Sequence, residues 1–345
     1  MSSLSFQSAK QLAKAIQDKQ ISSLELLEHY IERYERLNPG INAIIYTDFD
    51  NARVKAKQAD EALAKGESWG PLHGLPMTFK ESFEVTGMPA TSGFELFKDH
   101  VSTTNAVVVD DLLNAGAIIF GKTNLPLLTN DVQSYNDIYG QSNNPWDVTT
   151  TPGGSSGGAA AALAAGLCGL EIGSDIGGSI RNPAHCCGVF GHKPSWNIIS
   201  LQGHVPPPPG LFPGEYAGDG DIAVAGPMAR SVEDLELVMD LIVKPKSFQA
   251  TALKIELPPA RKQNLKDYKI GLWLDDEAFP IDTQVGDCMQ ATVDKLSKSG
   301  FQIVDKKPNF EFTHCYDVYL KLLQATLSSG LADELYDYVN LRHPI

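Results

Sequence analysis

The chain has 345 residues, of which 43% are hydrophobic and 20% are charged, as in an ordinary globular protein and unlike a disordered or fibrous chain. Its formal net charge of −14 weighs against nucleic acid as a direct partner, because binding to a phosphate backbone needs clustered Lys and Arg. The N-terminal segment alternates charged and apolar residues, which is typical neither of a signal peptide nor of a membrane span. We therefore expect a cytoplasmic protein with no membrane association.

The chain has five cysteines, an odd number, and they are widely scattered, so reduced thiols are expected. Cys186 and Cys187 are adjacent and lack the two-residue gap with which paired cysteines chelate zinc. The sequence therefore predicts no metal site and no cofactor.

Helical and strand patterns alternate along the chain. Ser8 with Gln11, and Ser22 with Glu25, form capping-box patterns that predict an N-terminal helical layer. Alternation of helices with short apolar runs indicates an α/β fold. The apolar runs are residues 43–46, 117–120, 169–172, 223–225, 270–274 and 301–304, and the clearest helical patterns are 104–115, 159–165, 231–243 and 283–299.

Two short motifs suggest other chemistry. Residues 116–123 match the sequence pattern of a phosphate-binding P-loop. Their middle positions are Ala-Ile-Ile-Phe, however, which predicts a buried strand instead of an open loop. Residues 153–157 match the G-x-S-x-G elbow of α/β-hydrolases, in which a histidine would activate Ser155. The polar segment before this motif argues against the elbow, although histidines that follow it leave this alternative open.

Two clusters rich in glycine and serine carry the main signal. One contains Ser155, the other contains Ser179, and a strong helix former, residues 159–165, lies between them. Lys80 follows an apolar run, where burial would favour the neutral amine and let it act as a base. Together these segments resemble the amidase signature family, from about Leu12 to about Leu241.

The resemblance implies a large mixed twisted β-sheet core covered by helices on both faces. It also implies a Lys80, Ser155 and Ser179 triad, with Ser179 as nucleophile and Ser155 after a cis peptide bond. It further implies an oxyanion hole formed by the backbone N–H groups of Ile176, Gly177 and Gly178 with Ser179. Ser156, Asp175 and Arg181 are implied to support the triad. Substrate contacts are implied for Thr129, Asp131 and Tyr135, and a pocket mouth for residues 206–216.

We expect one amidase domain over 1–345, with the helical layer at 1–65, the catalytic core at 70–230 and an α/β extension at 231–345. Residues 244–266 are predicted to be a surface connection. The chain ends earlier than members of the family usually do, so the extension is expected to be incomplete.

Three hypotheses for function follow. The first is a free-standing amidase, as a monomer or a homodimer, that hydrolyses a small-molecule amide through an acyl-enzyme. The second is the glutamine-hydrolysing subunit of a tRNA-dependent amidotransferase, which would need partner subunits. The third is a non-catalytic or truncated homologue that binds an amide ligand.

Overall fold

The computed structural model describes residues 4–206, 220–245 and 249–328. These residues form two compact units. The first comprises the described residues up to Ile255 and those from Ala325 onward, and the second is Glu256–Gln324. The boundary at Ile255 lies inside the 244–266 segment that was predicted to be a surface connection. The assignment of one amidase domain, with its three subdivisions, stays a prediction.

The N-terminal part of the first unit is helical, as predicted. Both capping boxes are formed, since Ser8 and Ser22 each accept a hydrogen bond from the backbone N–H three residues later. Asp234 adds a second cap from a distant segment, because its carboxylate accepts the N–H groups of Ala9 and Lys10 at 2.9 and 2.8 Å. The helices are α1 (Ala9–Gln17), α2 (Ser23–Ile41) and α3 (Phe49–Ala64).

The next strands form a three-stranded sheet in the order β1-β3-β2. Strand β3 runs parallel to β2 and antiparallel to β1. All residues of β2 and β3 are buried, including the two lysines Lys80 and Lys122 near the ends of the strands. The strands are β1 (Ile44–Thr47), β2 (Pro76–Lys80) and β3 (Ile118–Thr123), and helix α4 (Val107–Asn114) precedes β3. The P-loop-like motif is therefore a strand.

A second three-stranded sheet has the order β6-β8-β7, and both pairings are antiparallel. Helix α5 is buried along most of its length, which its small side chains permit. This part of the unit contains β4 (Tyr135–Asn136), β5 (Gly140–Gln141), α5 (Gly157–Ala164), β6 (Leu170–Asp175), α6 (Arg181–Cys187), β7 (Phe190–Gly191), β8 (Val224–Ala229) and α7 (Val232–Ile242). Strands β2 and β6 lie in contact, which brings the two sheets together.

The second unit contains a β-α-β arrangement, in agreement with the apolar runs predicted at 270–274 and 301–304 and the helical pattern predicted at 283–299. Strands β9 and β10 are parallel, and Gly300 adopts a positive φ of 85° just after the connecting helix. Its elements are β9 (Lys269–Leu272), α8 (Thr283–Lys298) and β10 (Gln302–Asp305). Helix α9 (Phe312–Ser328) begins in this unit and continues past its boundary at Gln324. Across the described residues no helix is both long enough and apolar enough to span a bilayer. The mixed α/β fold class is confirmed, with the strands divided among several sheets.

Candidate active site

Lys80 is the last residue of β2, and its side chain has no exposed surface. Its Nζ lies 2.6 Å from Ser155 Oγ and 3.0 Å from Ser174 Oγ. Burial lowers the pKa of Lys80 to about 7, and the negative charges of Asp175 and Glu171 oppose this effect only in part. A large fraction of Lys80 is therefore neutral near pH 7 and able to accept a proton.

Ser155 lies in the loop before α5, and the peptide bond between Gly154 and Ser155 is cis, as the resemblance implies. The close packing of this loop leaves no room for a larger residue at 154, where a Cβ atom would lie 2.7 Å from the Asp131 carbonyl oxygen. Ser156, the N-cap residue of α5, donates its hydroxyl to the Ser174 carbonyl at 3.4 Å. The fold thus holds Ser155 against a lysine 75 positions earlier in the chain.

Ser179 follows β6 in a loop that Asp175 organises. The Asp175 carboxylate accepts hydrogen bonds from the backbone N–H groups of Gly178 and Ile180, at 2.9 and 3.0 Å, and from the Arg181 guanidinium at 2.9 and 3.1 Å. Burial by itself would raise the pKa of Asp175, but these bonds outweigh it and the pKa lies below its ordinary value. Asp175 and Arg181 therefore hold the loop that carries Ser179.

The Asp175 contact bears on the predicted oxyanion hole. The N–H of Gly178 donates to Asp175, and in this conformation it is not directed at a substrate oxygen. This argues against Gly178 as an oxyanion donor, which the sequence could not show because glycine at this position fits both roles. The prediction then depends on the N–H groups of Ile176, Gly177 and Ser179.

One pocket contains both serines of the predicted triad, Ser155 and Ser179. Thr129 lines it as predicted. Tyr135 and Asp131, also predicted to contact substrate, are not among the described residues that line this pocket. Both are exposed, and Tyr135 donates its hydroxyl to Asp137. The predicted pocket mouth at 206–216 is represented by Pro206, and residues 207–216 lie outside the described residues. Its apolar lining includes Leu128, Ile176, Leu201, Ala223, Val224 and Leu327.

Two further residues contact the triad or its partners, and sequence reasoning did not assign them there. Ser174 bonds to Lys80, and His204 Nε2 lies 2.9 Å from Ser174 Oγ. Ser174 stands within the second glycine-rich cluster, which is the only signal for it in the sequence, and His204 is one of the histidines that follow the elbow-like motif. The observed contacts are Lys80 with Ser155 and His204 with Ser174, so the structure favours lysine over histidine as the base for Ser155.

Comparison with known proteins identifies the family of the chain. A glutamyl-tRNA(Gln) amidotransferase subunit of Methylobacillus flagellatus is 35% identical over 340 residues, covering 97% of this chain and 66% of that protein. The solved structure of a fatty acid amide hydrolase superposes with a TM-score of 0.85 at 27% identity, covering 94% of this chain and 56% of that one. The solved structure of a bacterial aryl acylamidase superposes with a TM-score of 0.79 at 26% identity, covering 99% of this chain and 73% of that one.

This chain therefore spans slightly less than two thirds of the length of the amidotransferase subunit. The amidase family model matches residues 25–342, which is most of the chain. The sequence motifs, the fold and the family model all indicate the same family, and the chain belongs to the amidase family.

Proposed function

We propose that the protein is a serine amidase in which Ser179 attacks the amide carbon and Lys80, acting through Ser155, removes the Ser179 proton. The observation that carries this proposal is the contact of 2.6 Å between Ser155 and a fully buried lysine, next to a pocket that also contains Ser179. A base works best when its pKa is near the working pH, and the pKa of Lys80 is about 7.

The proposed reaction uses two proton transfers. Neutral Lys80 accepts a proton from Ser155, which accepts one from Ser179, so that the Ser179 oxygen attacks the carbonyl carbon as its proton leaves. The N–H groups of Ile176, Gly177 and Ser179 stabilise the oxyanion, and each such donor is worth about 3 kcal/mol of barrier. Ser155 then gives a proton to the leaving amine and regains one from protonated Lys80, and water releases the acyl group from Ser179.

A fluorophosphonate probe tests the nucleophile and the base without knowledge of the natural amide. We expect the adduct on Ser179, complete loss of that adduct in Ser179→Ala, and labelling slower by about 10²-fold or more in Lys80→Met. Lys122→Met is the matched control: Lys122 is also buried and its pKa is lowered to about 8, but its Nζ donates to the Phe83 carbonyl. Equal slowing in both lysine variants, or an adduct on Ser155, would contradict the proposal.

Two natural substrates are candidates for this amidase: an amide of an apolar acid, or glutamine. The apolar residues that line the pocket support a free-standing amidase for amides of apolar acids, since burying an apolar acyl group against them is favourable. The name of the curated relatives supports glutamine hydrolysis within an amidotransferase, and the comparisons favour this second candidate over the first.

Parallel assays separate the two candidates. The purified protein is given L-glutamine and an anilide of a medium-chain fatty acid, and release of ammonia or aniline is measured. Faster hydrolysis of the anilide supports the free-standing amidase. Preference for glutamine, together with co-purifying partner subunits, supports the amidotransferase role. If neither is hydrolysed and Ser179 does not react with the probe, the protein is a non-catalytic homologue.

A further inference from the structure

His204 is a buried histidine beyond the proposed triad. It is 6% exposed, and the ring of Phe83 packs edge-on against it with the ring centroids 5.0 Å apart. Its Nδ1 lies 3.0 Å from the Pro206 carbonyl oxygen, and its Nε2 lies 2.9 Å from Ser174 Oγ. Burial, together with the charge on Lys80, lowers the pKa of His204 to about 3, so the ring is neutral at working pH.

These contacts determine where the hydrogens lie. A carbonyl oxygen can only accept, so the single ring hydrogen of neutral His204 is on Nδ1 and is donated to Pro206. Nε2 is then an acceptor and takes the hydroxyl hydrogen of Ser174. Ser174 Oγ, with its only hydrogen used, accepts an N–H from Lys80 at 3.0 Å.

We propose that His204 is a positioning residue that, through Ser174, keeps the lone pair of Lys80 available to Ser155. A neutral amine has one lone pair and two hydrogens. If the Ser174 hydroxyl were free to rotate, it could donate to that lone pair and compete with Ser155 for the base. By engaging the hydroxyl hydrogen, His204 removes this competitor. The inference rests on the proposed function, because it assumes that Lys80 is the base.

Two substitutions separate the contacts of His204. His204→Asn retains an amide nitrogen near the position of Nδ1, which can still donate to Pro206, but it loses the acceptor for Ser174. His204→Gln can place an amide oxygen near the position of Nε2 and retains that acceptor. The rate of Ser179 labelling by the fluorophosphonate probe is measured for both variants between pH 5 and 10, with wild type alongside.

For His204→Asn we expect labelling about three- to tenfold slower on the high-pH plateau, since one hydrogen bond now competes for the lone pair. We also expect the acid limb of the profile to move to lower pH, because the released Ser174 hydroxyl stabilises the neutral amine. Loosening of the site would hydrate Lys80 and move the limb to higher pH, toward the ordinary lysine value. Glu171 and Asp175, whose charges also act on Lys80, are unchanged in both variants.

His204→Gln is expected to label at close to the wild-type rate. In a Ser174→Ala background, His204→Asn is expected to change neither the plateau nor the limb, because no hydroxyl remains to compete. An upward shift of the limb in His204→Asn, an unchanged profile, or the same effect in both backgrounds would overturn the inference.

A measurement on the wild-type protein is independent of whether the variants fold. The ¹⁵N chemical shifts of the His204 ring report its tautomer, and we expect Nδ1–H, neutral down to about pH 4. An Nε2–H tautomer would overturn the inference, because Ser174 would then donate to Lys80. Failure of wild-type Ser179 to label would contradict the proposed function and the inference with it, whereas normal labelling with unchanged variants would contradict the inference alone.

Discussion

Lys80 and Lys122 are both buried lysines on neighbouring strands, yet only one is placed for chemistry. The amine of Lys122 donates to a main-chain carbonyl, that of Phe83, and so serves the structure. The amine of Lys80 faces two hydroxyl groups, and hydroxyl groups can donate as well as accept. Burial lowers the pKa of both lysines, so the partners and not the pKa distinguish a base from a structural residue.

The lowered pKa of Lys80 predicts a pH profile. Only neutral Lys80 can accept a proton, and protonation of the amine increases as the pH falls through about 7. We expect the rate of Ser179 labelling to decrease about tenfold per pH unit well below pH 7 and to level off above about pH 8. Stopped-time labelling followed by mass spectrometry measures this. In Lys80→Met this decrease of the labelling rate below pH 7 should disappear. A decrease that persists unchanged would show that a group other than Lys80 titrates.

At the level of helices and strands, distant parts of the chain complete each other's hydrogen bonding. The first turn of α1 has backbone N–H groups without partners inside the helix, and Asp234 of α7 accepts two of them. Asp234 is fully buried, so its negative charge is stabilised by these N–H groups and by the positive end of the helix dipole. Helices α1 and α7 are thereby joined although they lie far apart in the sequence of the first unit.

Asp234→Ala is expected to lower the free energy of unfolding by about 2–3 kcal/mol, because it removes two charge-assisted hydrogen bonds and leaves the buried N–H of Ala9 without its acceptor. Asp240→Ala on the exposed face of the same helix is the control and should change it by less than about 0.5 kcal/mol. Urea unfolding followed by circular dichroism measures both. Equal effects would show that the Asp234 contact contributes little.

At the level of the whole molecule, close packing around α5 positions the site. A Cβ atom at Gly158 would lie 2.3 Å from the backbone nitrogen of Asn124 and 2.7 Å from the carbonyl oxygen of Ala43. These backbone atoms belong to segments next to β3 and β1, so α5 can approach the sheet only because residue 158 has no side chain. Since Ser155 and Ser156 immediately precede α5, this approach also sets the position of the serine loop.

Gly158→Ala is expected to destabilise the protein by about 3 kcal/mol, because the helix must move away from the sheet. The same movement should slow labelling of Ser179. Gly40→Ala in α2 is the matched control: a Cβ atom there would have nothing within 4 Å, and alanine favours helix, so stability should be unchanged or higher by up to about 1 kcal/mol. Thermal unfolding of the two variants compares them, and similar melting temperatures would contradict the packing argument.

Features that depend on neighbouring residues could be predicted from the sequence. The two capping boxes, the strands and helix of the second unit and the strand at the P-loop-like motif are all confirmed, because side-chain spacing along a few residues decides each of them. The family, too, followed from local motifs around Lys80, Ser155 and Ser179, and the comparisons confirm it.

Tertiary structure decided which groups meet and in what protonation state. Lys80 and Ser155 are 75 positions apart, and Ser174 and His204 are 30 apart, so neither contact has a local pattern. The engagement of the Gly178 N–H by Asp175 and the outward position of Tyr135 likewise depend on how loops fold over one another. The pKa of Lys80 depends on burial where two sheets meet, because removal of water from around a charge is a property of the packed molecule and not of the sequence next to it.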